Sequence, residues 1–228
     1  MPRVWDAVIV ASEADLDLLE ARFTEYQDLD VTHVIAETPV DWQGKPKPLW
    51  FLDNAYGDRF ARWYGRWNHV RAEPWELPPV RAGAKARKDA LRDYLAHATC
   101  AEPTDVVLHG GVDEIPAERY VREIAEGHGT IHVPVAFEMR HCAYRPHLVH
   151  PHPWRGTVAQ EWRLVGSFAG MREKRLTLPA VVNGGTRLSM LGEEPQERHP
   201  DGTALWPAEP DETWPKWALE RHRQGLTA

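Results

Sequence analysis

Short apolar runs rich in β-branched residues alternate with helical segments along the first half of the chain, and this alternation restricts the fold more than any other feature. Residues 4–11, 31–37 and 105–109 have the length and composition of buried strands. Residues 12–26 and 82–98 carry apolar side chains at helical spacing. Strands that alternate with helices pair in parallel, so the sequence predicts an α/β fold with a mostly parallel sheet flanked by helices.

Polar residues follow three of the predicted strands at the point where each strand ends. Ser12 and Glu13 follow the first strand, Glu37 ends the second, and Gly111 to Glu114 follow the third. The carboxyl ends of parallel strands lie at one edge of a sheet, and ligands of α/β proteins bind there. We therefore expect these side chains to converge on one binding site.

Composition limits the kinds of partner. The 228 residues include 27 Lys and Arg against 34 Asp and Glu, and the net charge of −7 disfavours binding of nucleic acid through the overall field. The basic segment 81–92 could form a local patch, although a solvated helix face is the commoner origin of such a pattern. Two cysteines without zinc-site spacing, and the lack of an apolar span or signal-peptide pattern, favour a soluble, cytoplasmic protein with no membrane partner.

The stretch DVVLHGGVDEIP, residues 105–116, ends an apolar run in two glycines and two carboxylates, Asp113 and Glu114. Carboxylates at a strand end can hold a hard divalent cation, which neutralises a diphosphate leaving group. Acids also suit a helix N-terminus, and Pro116 is typical of the first position of a helix, which would end at Gly127. The residues alone leave both alternatives open, a metal site or a helix cap.

Four segments carry a family resemblance: DLDLLEARF (15–23), GKPKPLWF (44–51), DVVLHGGVDEIP (105–116) and NGGTRLSMLG (183–192). In that order they resemble the conserved blocks of glycosyltransferase family seventeen, the β-1,4-mannosyl-glycoprotein N-acetylglucosaminyltransferase family. The resemblance implies a GT-A fold with a Rossmann-like nucleotide-sugar-binding core. It also implies transfer of N-acetylglucosamine or another hexose from a UDP-sugar or similar donor to an acceptor hydroxyl, with inversion at the anomeric carbon.

Two positions depart from the family pattern. The family's acidic block reads Asp-Val-Asp-Glu, and here Gly111 replaces the first Asp, while Asp113 falls on the second, which reaches the metal in GT-A enzymes. The resemblance thus implies that Asp113 binds Mn²⁺ or Mg²⁺, with an affinity that the missing acid lowers. His199 is either a further ligand of that metal ion or a solvated histidine. Arg187 stands where the family has histidine, and a guanidinium can meet the diphosphate directly. This predicts residual activity in EDTA that Arg187→Ala removes.

The remaining candidate residues divide by role. The donor-binding candidates are Ser12, Glu13, Glu37, Lys45, Arg87, Gly111 and Arg187, and Arg87 matches an arginine that the family keeps. The acceptor-binding candidates are Glu138 and Trp154, the latter as a sugar-stacking platform in a histidine-rich loop. Asp113 and Glu114 are the catalytic candidates. The base that deprotonates the acceptor hydroxyl is Glu114, Glu138, Glu161 or Glu173, and the sequence does not choose among them.

The sequence predicts a GT-A-like domain over residues 1–192 and a Pro- and acid-rich arm or lid over 193–228. Familiar family members carry a membrane anchor that this sequence lacks, so the expected acceptor is a glycan, a small molecule or a modified base in phage DNA. Two rivals remain. One is a DNA-base glycosyltransferase of a bacterium or phage-infected host cell, which would grip DNA through segment 81–92. The other is a non-catalytic sugar-binding descendant, which would explain the lost acid at position 111.

Overall fold

The computed structural model describes residues 2–127, 133–143, 148–189, 201, 203, 205–207 and 214–223. The strands are β1 (Val4–Ile9), β2 (Val31–Glu37), β3 (Trp67–Arg71), β4 (Val106–His109), β5 (Glu114–Pro116), β6 (Val135–Ala143), β7 (Leu148–Val149), β8 (Trp154–Glu161), β9 (Ala180–Val181), β10 (Gly185–Ser189) and β11 (Trp206–Pro207). The α-helices are α1 (Asp15–Glu25), α2 (Trp50–Asn54), α3 (Gly83–Tyr94), α4 (Glu118–Glu126), α5 (Phe168–Lys174) and α6 (Lys216–Arg223).

Four strands form the parallel part of the sheet. β1 lies between β2 and β4, and β3 adds to the far side of β2, all in parallel register. Every residue of β1 and β4 is buried. Strands covered on both faces read as nearly continuous apolar runs, which is the pattern of these two segments. The predicted α/β class, a sheet flanked by helices, is confirmed.

The later strands make the sheet mixed. β8 pairs antiparallel with β4, and β6 pairs antiparallel with β8. β6 also has β9 and β10 as parallel neighbours and β7 as an antiparallel one. The expected run of parallel strands therefore covers only β1 through β4, and β6 makes separate parallel pairs with β9 and β10. Parallel neighbours need a crossover of a dozen or more residues, and the connections between β6, β7 and β8 are too short to supply one.

The structure corrects the predicted start of the helix that follows residues 111–114, which are called the acidic turn. α4 begins at Glu118, and Pro116 lies on β5, where it pairs with Gly185 of β10. Strand pairing of Glu114 to Pro116 therefore separates the acidic turn from the helix that it was expected to cap. The predicted end of the helix is confirmed, because Gly127 follows its last turn with a left-handed φ of 67°.

Two apolar layers cover the two faces of the sheet. On one face, Phe23 of α1 and Phe51 of α2 pack with Val8 of β1. On the other, Leu91 of α3 and Phe168 of α5 pack with strand residues. No helix in the described ranges is both long and apolar enough to cross a membrane.

The C-terminal segment 214–223 packs against the first of these layers. Trp214 and Trp217 are buried in the same core as α1. The backbone N–H of Lys216 donates to Glu25 Oε2 at 2.7 Å. The expected division into a domain of residues 1–192 and an arm of 193–228 stays a prediction.

Candidate active site

Two joined cavities open at the carboxyl ends of β1 and β4. The first lobe, about 560 Å³, is lined in part by Ser12, Asp15, Asp41, Trp42 and Lys47. The second lobe, about 420 Å³, is lined in part by Glu114, Trp154, Arg172, Glu173 and Arg175. Five residues line both lobes and are called the shared wall: Lys88, Arg92, Gly111, Asp113 and Arg187. Both volumes are typical of small-molecule sites, which span about 300–1,000 Å³.

Arg22 of α1 fixes the acidic turn from inside the protein. Its buried guanidinium donates from Nε to Asp6 Oδ2 at 3.0 Å and from Nη2 to Asp6 Oδ1. Its Nη1 donates to the carbonyls of Gly111, at 3.1 Å, and Glu114. Burial alone would raise the pKa of Asp6, but Arg22 and His33 outweigh it and hold that pKa well below its ordinary value. The acidic turn is therefore built on a buried ion pair.

Glu114 is a fully bonded anion. Arg172 donates to both of its carboxylate oxygens. Trp154 Nε1 donates to Oε1 at 2.7 Å, and the backbone N–H of Gly111 donates to Oε2 at 3.0 Å. A carboxylate has about four lone-pair sites, so none is left for a metal ion or for an acceptor proton. Glu114 bonds Arg172 and Trp154 at the second lobe, and its catalytic role stays a prediction.

Asp113 is the carboxylate of the shared wall. Its Oδ2 accepts from Arg187 Nε at 2.9 Å, and its side chain is 24% exposed. Burial raises the pKa of Asp113 above its ordinary value, and the negative charge of Glu114 beside it raises that pKa further. A carboxylate that faces a cavity takes up a proton more readily when its pKa is raised.

The missing acid at position 111 is linked to the present position of Asp113. A Cβ on Gly111 would lie 2.2 Å from Asp113 Oδ1, so any larger residue there would displace that carboxylate.

Both acids of the turn are paired with arginines, and no three His, Cys, Asp or Glu side chains of the described residues are grouped to hold a metal ion. These donors do not fit a resident Mn²⁺ or Mg²⁺. His199 lies outside the described residues, so its metal role stays a prediction.

Positive charge is crowded around the shared wall. Lys88 and Arg92 lie on α3, Arg172 and Arg175 lie at the end of α5, and Arg187 lies on β10. Burial lowers the pKa of Lys88, and the charge of Arg92 lowers it further. Burial, together with the charge of Arg172, also lowers the pKa values of Arg92 and Arg175. Like charges held close in a partly buried place favour the binding of an anion.

Arg187 links the two lobes through several contacts. Besides Asp113, its guanidinium lies over the ring of Trp154, with the guanidinium carbon 3.9 Å from the ring centroid. Its Nη1 is 3.4 Å from His141 Nε2. Trp154 lines the second lobe, as expected for the acceptor side, but it carries a stacked guanidinium. Its sugar-stacking role stays a prediction.

The structure places two predicted donor ligands outside both lobes. Glu37 is fully buried, and its carboxylate accepts from the backbone N–H groups of Phe51 and Leu52, each at 3.0 Å, at the start of α2. Arg87 is 3% exposed, and its Nη1 donates to the carbonyl of Pro78 at 2.6 Å. Both side chains bond to local backbone and line neither lobe, and their donor-binding roles stay predictions.

Three other predicted residues lie near the cleft without lining it. Glu13 and Lys45 are exposed, while their neighbours Ser12 and Lys47 line the first lobe. Glu138, predicted on the acceptor side, lies on β6 and lines neither lobe. The strand ends thus converge as expected, but the side chains that face the cavity are shifted by a residue or two from several of those predicted.

Among the cations around the shared wall, sequence reasoning missed Lys88, Arg92, Arg172 and Arg175. The first two stand four residues apart and share a helix face, which was an available signal within the basic segment 81–92. The other two carry no comparable signal. They reach the site because α5 packs beside α3, a contact between segments about 80 residues apart in sequence.

The fold and the cleft together define an α/β protein with a cationic small-molecule site at the strand ends. The model of a known family, glycosyltransferase family 17, matches residues 1–181, and the chain belongs to that family. The matched range stops before Arg187. No protein of curated function matches the chain.

Among solved structures, the chain is similar to that of an active-site mutant of LgtC, with 9% sequence identity and a TM-score of 0.40. The similarity covers 76% of this chain and 65% of that one, so the chain spans about two thirds of its length. A likeness this distant carries no functional weight.

Proposed function

We propose that this glycosyltransferase uses a nucleotide-diphosphate sugar and binds the donor diphosphate against the shared wall. The observation that carries the proposal is the shared wall itself. It holds Lys88, Arg92 and Arg187 between two cavities that are each large enough for a small molecule. A diphosphate carries the opposite charge, and arginine suits phosphate oxygens through its two-pronged geometry.

The nucleoside part of the donor is assigned to the first lobe. Trp42 offers an aromatic surface there, and Asp15 and Asp41 offer carboxylates for sugar or base hydroxyl and amino groups. Asp15 Oδ2 accepts from the backbone N–H groups of Ala11, at 2.7 Å, and Ser12, at 3.0 Å, which fixes the turn after β1. The acceptor then occupies the second lobe, on the other side of the shared wall.

The transfer takes place where the lobes meet. The acceptor hydroxyl oxygen forms a bond to the anomeric carbon of the donor sugar. The bond from that carbon to the diphosphate oxygen breaks, and its electron pair stays on the nucleoside diphosphate. The hydroxyl proton passes to Asp113, the carboxylate that lines both lobes. Cations already in position stabilise the charge that develops on the leaving group without reorganising.

The finer assignments come from the family resemblance and the chemistry of the cleft. The donor sugar is N-acetylglucosamine or another hexose carried by UDP, and an attacking hydroxyl opposite the leaving group inverts the anomeric carbon. Arg187, Arg92 and Lys88 supply the charge that Mn²⁺ or Mg²⁺ supplies where the family keeps both acids. A non-catalytic sugar-binding descendant is the second candidate, favoured by the loss of the acid at position 111.

A thermal-melt panel tests the donor site. UDP, GDP, CDP and their sugars are each added with Mn²⁺ or with EDTA. We expect one nucleotide to raise the melting temperature by about 5–10 °C at roughly 100 times its Kd, in EDTA as well, because a ligand that binds only the folded state stabilises it by mass action. Arg163→Gln, a change at an exposed arginine outside both lobes, is the control and keeps the shift. A panel with no shift for any nucleotide rules out the donor site.

A further inference from the structure

The charges of the second lobe are not balanced. Its four carboxylates are each paired with a cation: Asp89 with Lys85 and Arg92, Glu173 with Lys85, Glu114 with Arg172, and Asp113 with Arg187. Lys88 and Arg175 line the same lobe and have no carboxylate partner within the part of the chain that the structure describes. The lobe therefore carries two cations in excess of its acids.

Of these two cations, Arg175 gives the stronger evidence for an anion-binding site. Its Nη1 donates to the carbonyl of Arg172 at 3.0 Å, and its guanidinium carbon lies 5.7 Å from the ring centroid of Trp154. Its Nε is buried and has no hydrogen-bond partner in the described structure. A buried donor without a partner costs free energy, so this part of the guanidinium is not stabilised by the protein atoms around it.

The position of Arg175 separates it from the donor diphosphate. Lys88, Arg92 and Arg187 line both lobes, whereas Arg175 lines the second lobe alone. If the diphosphate lies against the shared wall, Arg175 faces the molecule on the far side of it. That molecule is the acceptor.

We propose that the second lobe binds an acceptor that carries a phosphate group, and that Arg175 is its phosphate-binding residue. The assignment of this molecule as the acceptor rests on the proposed function, whereas the anion site itself does not. The phosphate binds Arg175 in the second lobe, on the far side of the shared wall from the donor, so that a hydroxyl of the same molecule faces the junction of the lobes. The role of Arg175 is recognition, and the bond changes are those of the transfer described above.

The test is calorimetric titration with inorganic phosphate, glucose 6-phosphate and neutral glucose, with and without saturating nucleoside diphosphate. Glucose 6-phosphate is expected to bind when the nucleotide is present and to bind more tightly than glucose. Arg175→Gln should weaken glucose 6-phosphate binding about tenfold, the usual loss for a hydrogen bond to a charged group. Arg175→Lys should recover part of it, and Arg163→Gln should change nothing.

Four outcomes overturn the inference. Competition between phosphate and the nucleotide would assign the excess charge to the donor. Equal binding of glucose and glucose 6-phosphate, or no loss in a folded Arg175→Gln variant, would remove the phosphate group from the recognition. Tight, salt-dependent binding of an oligonucleotide that needs Arg175 would replace the small acceptor with nucleic acid. If glucose 6-phosphate binds through Arg175 but no nucleotide binds, the proposed function fails and the anion site stands.

Discussion

Arg187→Ala should lower the rate of sugar transfer by about 10²- to 10³-fold, the usual effect of removing one preorganised donor to a developing negative charge. Arg187 bonds Asp113 Oδ2 and stacks on Trp154, so its guanidinium is held at the junction of the two lobes. Its removal takes charge from the leaving group and frees Asp113 at the same time. The measurement is the initial rate of nucleoside diphosphate release at saturating donor, in EDTA and in Mn²⁺.

Two variants make the Arg187 result specific. Arg187→Lys keeps the charge but loses the two-pronged geometry and the stacking, so we expect a rate between those of the wild type and the alanine variant. Arg163→Ala removes an exposed arginine that pairs with Glu161 outside the cleft, and its rate should stay within about twofold of wild type. Full activity of Arg187→Ala in EDTA would contradict the role given to Arg187. A wild type that is active only when Mn²⁺ is present, and inactive in EDTA, would contradict it too.

Arg22→Met should lower the free energy of unfolding by about 3–5 kcal/mol, because it leaves the buried carboxylate of Asp6 without its main partner. Asp6 and Arg22 are both fully buried, and Arg22 also holds the backbone of the acidic turn. Urea unfolding at pH 7 measures the change. Arg59→Met on the surface above α1 is the matched control: Arg59 pairs with Asp17 and Glu20 at partly exposed positions, so about 1 kcal/mol or less is expected.

The cost of Arg22→Met should depend on pH with a definite sign. The folded-state pKa of Asp6 is held below its ordinary value, so the ion pair contributes its full stability above the unfolded pKa of about 4. That contribution is lost as the pH falls toward the folded pKa. The difference between wild type and Arg22→Met should therefore shrink as the pH falls, because buried Asp6 takes up a proton more readily in the folded variant than in the folded wild type. A difference that is constant from pH 7 to pH 3 would show that Asp6 is not the group responsible.

The parallel core was predictable from the sequence because its signals are local. β1, β2 and β4 are short β-branched runs, and the helices between them follow apolar spacing. The later half was not, since β6, β7 and β8 pair through short connections, and strand direction there depends on loops rather than on composition. Pro116 illustrates the difference: proline suits a helix start, but pairing of β5 with β10 places it on a strand.

The acidic turn and Arg187 could be predicted as site residues because each carries an unusual residue type at a motif position. The other cations could not. Whether Lys88 faces solvent or a cleft depends on how α3 packs, and Arg175 meets it only when α5 lies alongside. Glu37 shows a second limit: it stands at a strand end as the pattern requires, but the sequence did not indicate that its carboxylate accepts from the backbone at the start of α2.

In the proposed reaction, the cleft turns over a nucleotide sugar and Asp113 accepts the proton of the acceptor hydroxyl. The most direct test is release of nucleoside diphosphate from a panel of nucleotide sugars, with water or glucose 6-phosphate as acceptor, by wild type and Asp113→Asn. We predict that the wild type releases nucleoside diphosphate from one donor class. The release rate should fall by about 10²-fold or more in Asp113→Asn with the fold intact. The wild-type rate should also fall as acid protonates Asp113, whose pKa is raised. Binding of nucleotides without release of nucleoside diphosphate from any donor would contradict the proposed transfer and leave a sugar-binding protein. Unchanged release by Asp113→Asn would show that Asp113 does not take part in the reaction.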